Sequence, residues 1–136
     1  MNKPFSPSLH ADNDLRAREA VKGYLLKRGR YVWDNGNQYG IDLVVGTHFP
    51  VEVEVSSNWE SGSFPFSTVH IPERKKKFAT NWYGQFWRLR KDLKAAVIVK
   101  SEDLLTEYLK EIPNRLMPEG ERFFDVPKSK CREVVL

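Results

Sequence analysis

The feature that most limits how this chain can fold is a pair of β-branched runs set close together, Gly40-Ile41-Asp42-Leu43-Val44-Val45-Gly46 and Val51-Glu52-Val53-Glu54-Val55. β-branched residues fit a pleated surface, and the polar exceptions fall at alternate positions, so both runs read as strands. Gly46-Thr47-His48-Phe49-Pro50 between them is turn-like, which makes an antiparallel hairpin the simplest connection. Side chains alternate faces along a strand, and directly opposed residues share a face. Asp42 opposes residue 54 in one register and residue 52 in the other. Either register puts Asp42, Glu52 and Glu54 on one face, with Ile41, Leu43, Val51, Val53 and Val55 on the opposite one.

Three acids on one face are costly without a cation. Two carboxylates about 5 Å apart repel by roughly 3 kcal/mol at an effective dielectric near 20. A hard divalent ion such as magnesium takes oxygen ligands and would reverse the sign of that interaction. The competing reading is a solvated outer face, on which Glu is common. The valines flanking the acids favour a dry setting.

A chain of 136 residues suits a single domain, 1–136, and its 40% hydrophobic content is ordinary for a globular protein. Cys131 is the only cysteine, which excludes a disulfide framework and a zinc ribbon or finger. No stretch approaches the roughly 20 apolar residues of a membrane span. Met1–Leu9 lacks the apolar core of a signal peptide. The expectation is a soluble, intracellular (cytoplasmic) protein with no membrane partner. The net charge of +4 is regional: between Glu73 and Lys94 eight basic residues face two acidic ones, a local balance of +6. That tract contains Arg74, Lys75, Lys76, Lys77, Arg88 and Arg90, interleaved with Trp82, Tyr83, Phe86 and Trp87. Cationic side chains supply the sequence-independent attraction to phosphates, and aromatic rings can stack on bases. The tract is therefore the expected nucleic-acid surface. Its competing reading keeps the aromatics in the core, at least one of Phe86 and Trp87 among them, and the lysines merely solvated.

Along the chain, residues 1–11 carry two prolines and two serines and are expected to form an extended, loosely held arm. Asp12-Asn13-Asp14 is a cluster of capping residues, and a helix is predicted from about Asp14 to Arg28, stopped by Gly29. Leu15, Glu19, Lys22 and Leu26 fall along one stripe, broadened by Val21 and Leu25, which puts Glu19 at the edge of the buried side. Tyr31–Trp33 reads as a first strand, Gln38–Gly46 as the second and Val51–Val55 as the third. Ser56–Ser67 reads as a loop with exposed aromatics, Trp59, Phe64 and Phe66, which would suit protein contacts. Thr68–Ile71 reads as a short or edge strand, and Pro72 as opening a helix from Glu73 to about Asn81. Two further strands, Gln85–Leu89 and Ala95–Val99, are predicted, the second continuously apolar and so covered on both faces. A last helix is predicted over Asp103–Ile112, and an edge strand over Phe123–Val126. His10, His48 and His70 lie in unrelated contexts, although His70 beside the basic helix could contact phosphate. The expected fold is α/β, a mixed sheet flanked by helices.

This order, with Gly-Ile-Asp-Leu on the second strand and acids at alternate positions on the third, resembles the PD-(D/E)XK nuclease superfamily over roughly Asp14–Ile112. It looks closest to compact, Holliday junction resolvase-like members. The resemblance implies a restriction endonuclease-like αβββαβ core, DNA as partner, magnesium as cofactor (manganese substituting), and hydrolysis of phosphodiester bonds, branched DNA included. It implies Glu19, Asp42 and Glu52 as metal ligands, with nine residues separating Asp42 from Glu52. Where the family has Lys, two residues after the third-strand acid, this chain has Glu54. Glu54 would then be the fourth catalytic residue, or a lysine from the nearby helix (Lys75, Lys76 or Lys77) would serve. The departure also admits a catalytically silent nuclease-fold protein that binds nucleic acid or a protein partner. A homodimeric state is left open.

Overall fold

The computed structural model describes residues 7–34, 42–46, 49–78, 84–112 and 121–136; the side chains of 7–13, 76–78, 112 and 121 fall outside the description. It opens with helix α1, Pro7–Lys27, followed by strands β1 (Val32–Asp34), β2 (Leu43–Val45), β3 (Phe49–Val55) and β4 (Thr68–Pro72). A 3-10 helix over Glu73–Phe78 leads to β5 (Gln85–Leu89) and β6 (Ala95–Lys100). Strands β7 (Leu109–Ile112), β8 (Glu121–Pro127) and β9 (Arg132–Val135) complete the order. One sheet runs β1-β2-β3-β5-β6-β9 and a smaller one β4-β8-β7. The fold is mixed α/β, with β3 and β5 parallel and the other pairs antiparallel.

Alternation along the central strands sorts the chain into layers. Val51, Val53, Trp87, Leu89, Ala96 and Ile98 point to one side and pack beneath α1 through Ala17 and Val21. Phe86, Ala95, Val97 and Val99 point to the other side and meet Val69, Ile71, Phe124 and Val126 of the small sheet. The apolar run of β6 is thus covered on both faces, as its composition predicts. A parallel pair needs a crossover. Here that connection carries β4 and the 3-10 helix onto the face away from α1, the same face that holds Glu52 and Glu54.

Several elements differ from expectation. The helix begins at Pro7, so residues 7–11 are not an extended arm; proline suits the first helical position, where its missing N–H is no loss. Its end is as predicted. Gly29 adopts φ 73°, the Arg30 amide donates to Leu25 O and the Gly29 amide to Leu26 O, which caps the last carbonyls. The inward stripe of α1 is Ala17, Ala20, Val21, Tyr24 and Leu25, while Leu15 and Leu26 are half exposed. Small alanines allow close approach to the sheet, so the large leucines do not mark the buried side. Residues 73–78 form a 3-10 helix instead of an α-helix. The helix expected over Asp103–Ile112 is absent: 3-10 turns at Ser101–Asp103 and Thr106–Tyr108 lead into β7, because β8 needs a hydrogen-bonding partner on that side. β8 lies in the middle of the small sheet, not at an edge, and β9 was not expected. Among the described residues the large sheet carries one α-helix, α1, and its other face is covered by the small sheet.

The loop aromatics also differ. Trp59 and Phe64 are buried, edge to face at 5.3 Å, with the Trp59 indole donating to Gly62 O at 3.0 Å. Only Phe66 of the three is exposed, which removes the aromatic contact surface expected of this loop.

Candidate active site

The hairpin register pairs Leu43 with Val51, Val44 with Pro50 and Val45 with Phe49. Asp42 sits one residue before β2, at the level of Glu52. Its Oδ2 accepts the Val53 amide at 2.7 Å, which ties the carboxylate to β3. Glu52 and Glu54 follow on the face opposite α1, paired across the parallel ladder with Phe86 and Arg88. The structure thus brings Asp42, Glu52 and Glu54 together as the alternation requires.

Lys75 enters the same space from the 3-10 helix. Its Nζ lies 3.7 Å from Glu52 Oε2 and 3.4 Å from Glu54 Oε2. Arg88 closes the other side, with Nη1 3.1 Å from Glu54 Oε1 and Nη2 donating to His70 O at 2.6 Å. These cations decide the charge states. Burial pushes Glu54 up, but Arg88 and Lys75 outweigh it and hold its carboxyl below the usual range. For Glu52 burial dominates and the adjacent Asp42 charge adds to it, so its pKa is pushed up to about 8. Burial also raises Asp42, against the Val53 hydrogen bond and the charges of Lys75 and Arg18. With both groups ionised, Glu52 Oε1 is a buried oxygen without a hydrogen-bond partner. A proton on Glu52 lets its carboxyl donate to Asp42, and the two titrate as a pair.

Not every expected residue is here. Glu19 is exposed on α1 and acts on Lys22 instead of the acid pair. The α1 residue whose charge reaches Asp42 is Arg18, one position away, and its Nε is buried without a partner. Sequence reasoning missed it, although position 18 shares the inward stripe with Val21 and Leu25. Arg74 is exposed nearby and its charge also lowers Glu54. Arg90 pairs with Asp92 at 2.9 Å and donates to Gly62 O at 3.0 Å, apart from the acids. Phe86 and Trp87 are both buried, so neither can stack on a base; Trp82, Tyr83, and the side chains of Lys76 and Lys77, lie outside the described residues. No group of three or more His, Cys, Asp or Glu side chains able to hold a metal stands among the described residues.

A cleft of about 570 Å³ opens beside Glu54, between the end of β3 and β4. Arg74, Arg88 and His70 line it together with Ser56, Ser57 and Phe66. His70 Nε2 lies 2.9 Å from Asp125 Oδ1, and Lys110 Nζ lies 2.7 Å from Asp125 Oδ2. No helix among the described residues is long and apolar enough to cross a membrane.

The family resemblance implies magnesium at these acids. Magnesium is commonly held by one or two carboxylates, with waters and substrate phosphate completing its shell. Asp42 and Glu52 supply two oxygen donors, one of them the buried, partnerless Glu52 Oε1. The residues fit such an ion.

Among known proteins, no family model and no curated protein matches the chain. One solved structure, the bacterial homing endonuclease I-Ssp6803I, is similar at 16% identity over 98% of this chain and 76% of that one, with a TM-score of 0.46. At that identity and score the likeness establishes neither a family nor an activity for this chain.

Proposed function

We infer that this protein is a metal-dependent endonuclease that hydrolyses phosphodiester bonds in DNA, with a PD-(D/E)XK-like site. The observation that carries the reading is the Asp42–Glu52 pair, with Glu52 buried, Asp42 half-buried and the Lys75 ammonium 3.7 Å from Glu52. Asp42 and Glu52 would hold magnesium, which when bound polarises the scissile phosphate and lowers the pKa of a coordinated water. Lys75 takes the place left by the Glu in the third-strand position and faces the phosphate as a hydrogen-bond donor. Glu54 stays ionised and fixes Lys75 and Arg88. Arg74 and Arg88 attract the strand along the cleft. The homing endonuclease likeness adds no weight here, and a preference for branched DNA or a homodimeric state rests on the family resemblance alone.

A second reading has its own observation. Lys75 and Arg88 already neutralise Glu54, and Lys75 approaches Glu52, so internal cations partly satisfy the cluster without any metal. That arrangement suits a nuclease-like domain that binds nucleic acid without cutting. Incubation of the purified protein with supercoiled and four-way-junction DNA in magnesium, manganese or chelator separates the two. Nicking that requires the divalent ion is expected; salt-sensitive binding with no product in any metal favours the silent domain.

A further inference from the structure

On the α1 side of the large sheet, with β3 between it and the acid pair, lies a second cleft of about 530 Å³. Its lining includes three arginines, Arg28, Arg30 and Arg132, and no carboxylate among the described residues. Arg30 and Arg132 are exposed and carry no ion pair among those residues. Arg28 is held in place, its guanidinium 3.5 Å over the Tyr24 ring and its Nη1 3.4 Å from Tyr24 O. Three guanidiniums lining one cleft, with no carboxylate among the described lining residues, leave it positively charged and present planar forks suited to a phosphate. Tyr24, Tyr31 and Phe49 give the same cleft an aromatic lining, and Tyr31, 76% exposed, stacks on Trp33 at 6.3 Å between ring centres, a stack that a base would extend. Gln85 accepts the Trp87 indole N–H at 2.9 Å through its oxygen, which fixes the amide and leaves its NH₂ to donate. A volume of this size suits a small ligand with one planar and one anionic end.

We propose that this cleft binds a nucleotide unit, a base stacked on Tyr31 with its phosphate held by Arg30 and Arg132, at a site separate from the carboxylate pair. The inference does not depend on the nuclease reading, because no residue of the acid cluster takes part. The chemistry is shared by a free mononucleotide and by the end of a single strand.

Isothermal titration of the full chain in chelator, with deoxyadenosine monophosphate, deoxyadenosine, inorganic phosphate and a single-stranded hexamer of deoxyadenylate, tests it. The monophosphate is expected to bind at least about tenfold more tightly than either the nucleoside or phosphate, since both ends of the site must be filled. Tighter binding of the hexamer than the monophosphate identifies a strand as the source; equal or weaker binding identifies the free nucleotide. Arg30→Ala/Arg132→Ala should lower the affinity about tenfold or more. Arg30→Lys/Arg132→Lys, which keeps the charge and the fold, should fall between that variant and the parent because the forked geometry is lost. No binding by the parent, unchanged affinity in both double variants, or binding abolished instead by Arg74→Ala in the opposite cleft would overturn the proposal.

Discussion

Glu52 and Asp125 present the same physical problem and reach opposite ends. The two side chains are equally inaccessible, each 9% exposed. Asp125 has a basic side chain near each oxygen, the His70 imidazole at 2.9 Å, without the alignment of a hydrogen bond, and Lys110 at 2.7 Å. Burial pushes its pKa up, but the hydrogen bonds from Lys110 and Thr68 and the His70 charge outweigh it, and the carboxyl stays below the usual range. For Glu52 burial, together with the Asp42 charge beside it, outweighs Lys75, which comes no closer than 3.7 Å, so it is driven up to about 8. A chain that can settle one buried acid with internal cations leaves the other unsettled. Perturbed groups of that kind are what sites for ions and chemistry require, whereas an acid held ionised by its neighbours serves the fold.

The contrast can be broken most strongly at Asp42. Asp42→Asn should lower magnesium-dependent cleavage by roughly two to three orders of magnitude, the scale of losing one preorganised electrostatic partner of a transition state. DNA affinity should be unchanged or slightly raised, because a negative charge near phosphate is removed. Steady-state nicking and a binding titration check both, and equal activity in variant and parent would remove Asp42 from the mechanism. Lys75→Ala should come next, abolishing most cleavage while pushing the Glu52 titration higher still, since Lys75 is one of the charges that holds it down. A carboxyl titration followed by NMR reads that shift.

The settled acid should behave otherwise. Asp125→Asn should cost about 1–3 kcal/mol of stability at neutral pH, the range for leaving buried groups unpaired, with cleavage near that of the parent. The folded pKa of Asp125 lies below its unfolded value of 3.8, so its contribution is present above that pH and is lost as pH falls through the folded value. Denaturant unfolding between pH 7 and pH 3 should therefore show the parent and variant converging in acid. A gap that does not narrow at all as the pH falls would assign the effect to packing.

Much of the sheet was legible from local pattern. The Val51, Val53, Val55 alternation against Glu52 and Glu54 fixed the faces of β3, and the unbroken apolar run of Ala95–Val99 foretold a strand covered twice. The acid face followed from the same period, whatever the register. What failed was information held in distant partners. Leu104, Leu105, Tyr108 and Leu109 have helical spacing, yet Leu109–Ile112 pairs with Arg122, Phe123 and their neighbours, and that ladder overrides propensity. Glu19 seemed to border the core because Leu15 and Leu26 are large. The buried stripe instead runs through Ala17 and Val21, and the helix turns Arg18 toward the acids. Lys75 could not be chosen from Lys76 and Lys77 until a 3-10 helix placed it against both glutamates.

The central claim is that Asp42 and Glu52 form an acid pair that is unsettled until a cation joins it. An acid whose folded pKa of about 8 exceeds its unfolded 4.5 binds its proton more tightly in the native state, so native stability falls as pH rises between those values. The most direct test is the unfolding free energy of the metal-free protein from pH 4.5 to pH 8, with and without millimolar magnesium, in the parent and in Glu52→Gln. The account predicts a parent that weakens with rising pH and is restored by magnesium at the alkaline end, and a variant that shows neither the slope nor the rescue. A parent profile that is flat across this range and indifferent to magnesium would contradict it.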